Sequence, residues 1–182
     1  SRNAPQPAHS THAQPVGKSH ALIKGFRGSG TEHDPLLIDT VEHLVDLARP
    51  EVGQKGYHFK QTEDLDCRVI TTWPKIHFQG HYHGNKKSIR LSEGTNFFAK
   101  ISKSSINYLL LSGGLLTIEA ENQSTITACE SDNSLIRNVK DCKIYYCHAN
   151  DFLIQNIAIN CNIAFCHTNN PLIKQYADHC NI

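Results

Sequence analysis

The chain has 182 residues, of which 39% are hydrophobic and 19% charged, with a net charge of +1. That length suits one substantial domain plus a tail, and the near-neutral balance excludes a binder driven by nucleic-acid phosphates. No apolar run approaches the ~20 residues that cross a bilayer, so no membrane span is expected.

Residues 1 to 30 are rich in Pro, His, Ser, Gln and Ala and poor in apolar residues. This composition predicts a disordered tail or linker. Asp39 or Thr40 is placed to cap a short helix over TVEHLVDLA, with Val41, Leu44, Val45 and Leu47 on one face and Pro50 ending it. Tyr57 to Lys60 alternates as a strand, Asp64 to Asp66 reads as a polar turn, and short strands and turns run from Trp73 to Leu91.

From Ser104 the chain repeats itself. Its rows are SSINYLLLSGGLLTIEAENQ, STITACESDNSLIRNVKD, CKIYYCHANDFLIQNIAIN and CNIAFCHTNNPLIKQYADH, of 20, 18, 19 and 19 residues, with CNI opening a fifth. Ile holds place 3 in Ile106, Ile126, Ile144, Ile163 and Ile182. A Leu-Leu or Leu-Ile pair holds places 12 and 13, from Leu115-Leu116 to Leu172-Ile173, and Asx, Ser or Gly fills places 9 and 10. A helical repeat needs ~33 residues or more, whereas these rows hold two or three short strands with turns, so the repeat predicts a β-solenoid. Equivalent residues of successive rows then stack ~4.8 Å apart, with the Ile column inside. The division is a tail over 1–30, a cap and first coils over 31–103, and regular coils over 104–182. The chain has no Met and stops at Ile182, three residues into a row. A solenoid end needs a cap, so further domains are expected beyond Ile182.

The segment 34–113 resembles secreted and surface β-helix proteins with GLUG-type, filamentous-haemagglutinin-like repeats. The likeness rests on DPLLIDTVEHLVDLA at 34–48, TEDLD at 62–66, Trp73-Pro74-Lys75-Ile76, Phe78-Gln79-Gly80, Gly84-Asn85, Ile89-Arg90-Leu91 and NFFAKISKSSINYLLLSG at 96–113. The resemblance implies a right-handed parallel β-helix with a short N-terminal capping helix, in an exported bacterial or phage context. It transfers no catalytic residue.

Three side-chain groups are candidates for chemistry. Seven cysteines are an odd number, so a complete disulfide framework is not implied. Cys142 and Cys161 share place 1, while Cys147-His148 and Cys166-His167 share places 6 and 7. Stacked rows bring four thiols and two imidazoles near one another, the ligand types that hold zinc. The competing account is a stacked column of small buried side chains, because Cys packs as a small hydrophobe. The second group is His77, His81 and His83, with His58 nearby. The third is the acidic trio Glu63, Asp64 and Asp66, which also fits a turn, beside a basic region of Lys86, Lys87, Arg90, Lys100 and Lys103. Tyr145, Tyr146 and Phe165 form an aromatic strip in which alternation puts Tyr145 outside and Tyr146 inside.

These features predict a non-catalytic binding scaffold from an exported bacterial protein, either an adhesin segment or the N-terminal module of a secreted virulence effector. Its partner is a host protein or glycan, its cofactor none or zinc, and its location secreted, at the cell surface, or in host cytosol. The alternative is a polysaccharide-processing enzyme or phage tailspike fragment, which requires two carboxylates, or a carboxylate and a basic residue, within reach of one sugar.

Overall fold

A computed structural model describes residues 23–182. They form an all-β parallel solenoid of about eight turns with very little helix. Every named strand pair is parallel, in one sheet of 11 strands and one of 6. The first regular row contributes two strands, Ser105–Ser112 and Thr117–Glu121, and each of the next three contributes three: one around places 2 to 4, a short one at places 7 and 8, and a third within places 13 to 18. In the third row these are Lys143–Tyr145, His148–Ala149 and Ile154–Ile159.

The place-3 column runs well upstream of the visible repeat. Leu36 pairs with Phe59, Phe59 with Tyr82 and Tyr82 with Ile106, and the column continues through Ile126, Ile144 and Ile163. All seven side chains are buried. Residues 36–103 and 104–163 therefore share one hydrophobic core. The early rows are longer and filled by aromatic rings. Phe78 stacks on Phe98 at 4.9 Å, and Phe98 on Phe97 at 4.1 Å. The later, shorter rows are filled by Ile, Leu, Ala and Cys.

The predicted helix is present as Val41–Asp46, capped by Thr40, whose side chain accepts from the His43 N–H at 3.1 Å. Pro50 does not merely end it. It opens a second short helix, Pro50–Gly53, where its missing N–H is not needed. Both helices are excursions within the first row, between strands Leu36–Ile38 and His58–Gln61. The tail predicted over 1–30 lies outside the described residues up to position 22. Residues 23–30 are packed: Ile23 and Phe26 are buried, and the Phe26 ring stacks on His43 at 4.7 Å.

Candidate functional site

Two corners of each row share one backbone device. At place 5, Tyr108, Ala128, Tyr146 and Phe165 have φ between 53° and 59°. At the row ends, Lys103, Gln123, Asp141, Asn160 and His179 have φ between 51° and 61°. This left-handed region suits Asn and Asp but strains bulky L-residues. In both corners an inward residue is followed by an outward one, then by the left-handed residue, then by an inward one, with a second left-handed residue, Asn122, added before Gln123. The left-handed residue reverses the alternation, so places 4 and 5 both face outward. That corrects the expectation for Tyr146. It is 60% exposed and Phe165 is 76% exposed, and their rings stack at 5.0 Å, 10° from parallel. Tyr108 is 41% exposed and stacks on His83 at 5.6 Å. The spacing of the buried residues held the signal: Ile at place 3 and Cys at place 6 lie an odd number of residues apart, so strict alternation cannot bury both.

The inward residue after each corner explains the cysteines. Cys142, Cys161 and Cys180 follow the row-end corner, and Cys129, Cys147 and Cys166 follow place 5. Each thiol donates to the carbonyl two residues back, as Cys142 Sγ does to Lys140 O at 3.2 Å and Cys147 Sγ to Tyr145 O at 3.5 Å. Ser104 fills the same role with its Oγ, at 2.9 Å from Ser102 O. All seven cysteines are free. Burial pushes the Cys142 thiol up to about 12. The thiol of Cys129 holds Cys147 well above its usual value, and Cys147 does the same to Cys166.

The six candidate zinc ligands are not gathered at one point. Cys142 and Cys161 lie at one end of the place 2–4 strands, Cys147 and Cys166 beyond the other. His148 and His167 alternate outward from the thiols beside them and are exposed. Their rings meet edge to face at 5.0 Å, and His148 Nδ1 lies 3.7 Å from Glu130 Oε1. Among the described residues no group of three or more His, Cys, Asp or Glu is placed to hold a metal ion.

The second histidine group divides. His77 lies in the six-stranded sheet, paired with Lys100. His81 and His83 lie in the other sheet, on one face, as alternation predicts, and His58 stacks on His81 at 4.1 Å. His81 Nδ1 is 2.7 Å from Ser105 Oγ. Burial, then the neighbouring His58, lowers the pKa of His81; burial, then Lys60, lowers that of His83. A carboxylate that the sequence run lacks comes from the N-terminal loop: Glu32 lines the same cleft of about 380 Å³ as His58, His81 and His83.

The acidic trio is structural: Glu63 lies in a bend with Asp64 next to it, and Asp66, expected in a turn, ends the short strand Leu65–Asp66 and caps the helical turn Cys67–Val69. Asp64 accepts the Ser88 N–H at 2.9 Å, which lowers its pKa, and Asp66 pairs with Arg68 at 2.7 Å. The basic region is split between faces, and Lys100 is engaged by Glu121 at 2.7 Å.

No family model matches the chain. A protein of Evansella cellulosilytica described as "Putative Gly-rich membrane protein" is 35% identical over 105 residues, which is 52% of this chain and 11% of that protein. The chain thus spans about a tenth of the length of the curated relative it matches. Among solved structures, a chain described as a "putative immunoglobulin A1 protease from Bacteroides ovatus" aligns with a TM-score of 0.47 and 10% identity, over 84% of this chain and 76% of that one. Among the described residues no helix is long and apolar enough to cross a membrane.

Proposed function

We propose that the chain is a non-catalytic β-helix binding scaffold of an exported bacterial protein of the GLUG-type kind. It acts as an adhesin segment or as the N-terminal module of a secreted virulence effector, and it docks a host protein on its aromatic corner. One observation carries the reading: bulky rings stand exposed on a backbone that disfavours them. Tyr146 and Phe165 take left-handed angles where Asn or Asp costs less, and they are turned to solvent rather than into the core. Exposed aromatics anchor protein interfaces, and a polar rim surrounds such anchors. Glu130, His148 and His167 supply that rim on the adjoining face.

The polysaccharide-processing alternative needs two carboxylates, or a carboxylate and a basic group, at one sugar. Glu130 and Asp132 line one cavity with His148, Asp141 lines another with Lys143, and Glu32 a third with His58, His81 and His83, so this second reading has candidate groups but no exposed feature as costly as the aromatic corner.

The test uses Tyr146→Asn with Phe165→Asn. Asn is at ease in the left-handed region, so the fold is expected to survive. Binding to host-cell extract and to intact host cells is compared with the parent. Loss of binding with an unchanged unfolding midpoint supports the reading, and unchanged binding removes it.

A further inference from the structure

The row-end corner carries a second site, on the other side of the place 2–4 strands from the aromatic rings. Three cavities of about 380, 590 and 670 Å³ follow one another along it. The first two share His81 and Ser105, and the last two share Asn122, Gln123 and Thr125. They form one trough. Its floor is the place-2 column, in which His58, His81, Ser105, Thr125, Lys143 and Asn162 pair in register. At ~4.8 Å per row that column is roughly 24 Å long.

We propose that this trough binds a linear, uncharged polysaccharide, with about one sugar unit to each row. The lining offers hydroxyls and carboxamides at Ser105 and Asn107, at Asn122, Gln123 and Thr125, and at Asn160 and Asn162, groups that both donate and accept, as sugar hydroxyls do. Asn107 Oδ1, in the first cavity, is buried without a hydrogen-bond partner among the described residues. A buried acceptor left unpaired is costly, and a turn of the half-buried carboxamide about its last side-chain bond brings the oxygen to the cavity, where a ligand hydroxyl satisfies it. The charges nearly balance, with Lys60, Lys103 and Lys143 against Glu32 and Asp141. That favours a neutral chain over an acidic one. A peptide strand fits poorly, because it needs a free sheet edge or apolar pockets. Here the corner's N–H groups are bonded from row to row, as Gln123 is to Asp141 O and Asn160 to Asp178 O.

Neither Tyr146 nor Phe165 lines the trough, so the two proposals fail separately. The full chain is titrated calorimetrically with linear cello- and malto-oligomers of increasing length, and with an oligogalacturonide. Affinity for one neutral series is expected to rise with length until the trough is filled. Thr125→Trp, which puts a good strand former across the middle of the trough, is expected to weaken binding by at least about tenfold, the equivalent of 1.4 kcal/mol. Asn107→Leu is expected to weaken it similarly while leaving the unfolding midpoint unchanged or higher, a split that a merely structural role would not give. Tyr146→Asn is expected to leave oligomer binding as it was. Failure of every oligomer to bind, or undiminished binding by Thr125→Trp, overturns the site. Preference for the oligogalacturonide that disappears with salt overturns its neutral ligand class.

Discussion

The two left-handed corners of this solenoid have the same backbone and opposite side chains. The row-end corner carries Lys103, Gln123, Asp141, Asn160 and His179, and its amides and carboxylates bond along the stack, as Asn160 Nδ2 does to Asp141 Oδ1 at 2.6 Å. The place-5 corner carries Tyr108, Ala128, Tyr146 and Phe165. Asp141, Asn160 and His179 are what the conformation prefers, and Tyr108, Tyr146 and Phe165 work against it. The inward residue that follows differs in step: Ser104, Ser124, Cys142, Cys161 and Cys180 after the polar corner, and Leu109, Cys129, Cys147 and Cys166 after the aromatic one. Cysteine is common to both because it is a small hydrophobe with a weak donor. The backbone thus sets where a corner falls, and surface demands set what stands on it.

The largest expected effect comes from a residue serving both corners. Ile144 is fully buried in the strand between Asp141 and Tyr146. Ile144→Ala is expected to cost about 2–5 kcal/mol, as large-to-small core changes do. Hydrogen exchange should then quicken at both corners of that row together. Quickening at one corner alone would mean that the two fold as separate units.

Next come the inward thiols. Serine already stands after the polar corner, so Cys142→Ser is expected to be nearly neutral in urea unfolding near pH 7. Cys147→Ser places a hydroxyl in an otherwise apolar column and is expected to cost about 1–3 kcal/mol. Equal costs would break the comparison.

The backbone itself is tested by a β-branched residue at each corner. Asn160→Val is expected to lose about 1–2 kcal/mol, the penalty for a side chain that cannot relax in the left-handed region, and Tyr146→Val less, because Tyr146 already stands there at a cost. Equal losses would show that Tyr146 is as much at ease in that region as Asn160.

Much of this architecture was legible in the sequence. Ile106, Ile126, Ile144 and Ile163 give the inward column, and Asp132-Asn133 and Asn150-Asp151 give a turn. Upstream, the same column was hidden for two reasons. Its occupants change to Leu36, Phe59 and Tyr82, and the rows there lengthen to hold helices Val41–Asp46 and Pro50–Gly53. The candidate sites were harder to read because a left-handed residue is not written in hydrophobic periodicity. Tyr146 looked buried until its positive φ placed it outside. His148 looked like a partner of Cys147, although adjacent strand residues face opposite ways. The trough was less legible still, since its floor draws one residue from each of six rows.

The smallest expected effect separates the corners by pH. Burial raises Cys142 to about 12 from an ordinary value near 9, so the folded chain keeps this proton where the unfolded chain has released it. Stability from this group is fully present below pH 9 and is lost as the pH rises toward 12. Lysines and tyrosines titrate in the same range, so the useful quantity is the difference between the parent and Cys142→Ser. That difference should be flat below pH 8 and should shift in favour of the serine variant as the pH rises. At the aromatic corner the cause is different. Cys147 is raised first by the thiol of Cys129, and Cys166 first by that of Cys147. Cys147→Ser should therefore change the alkaline reactivity of Cys166 toward a thiol reagent, whereas Cys142→Ser should leave it unchanged. Equal responses to the two variants would mean that the thiol columns share one environment, and that the two corners differ only at the surface.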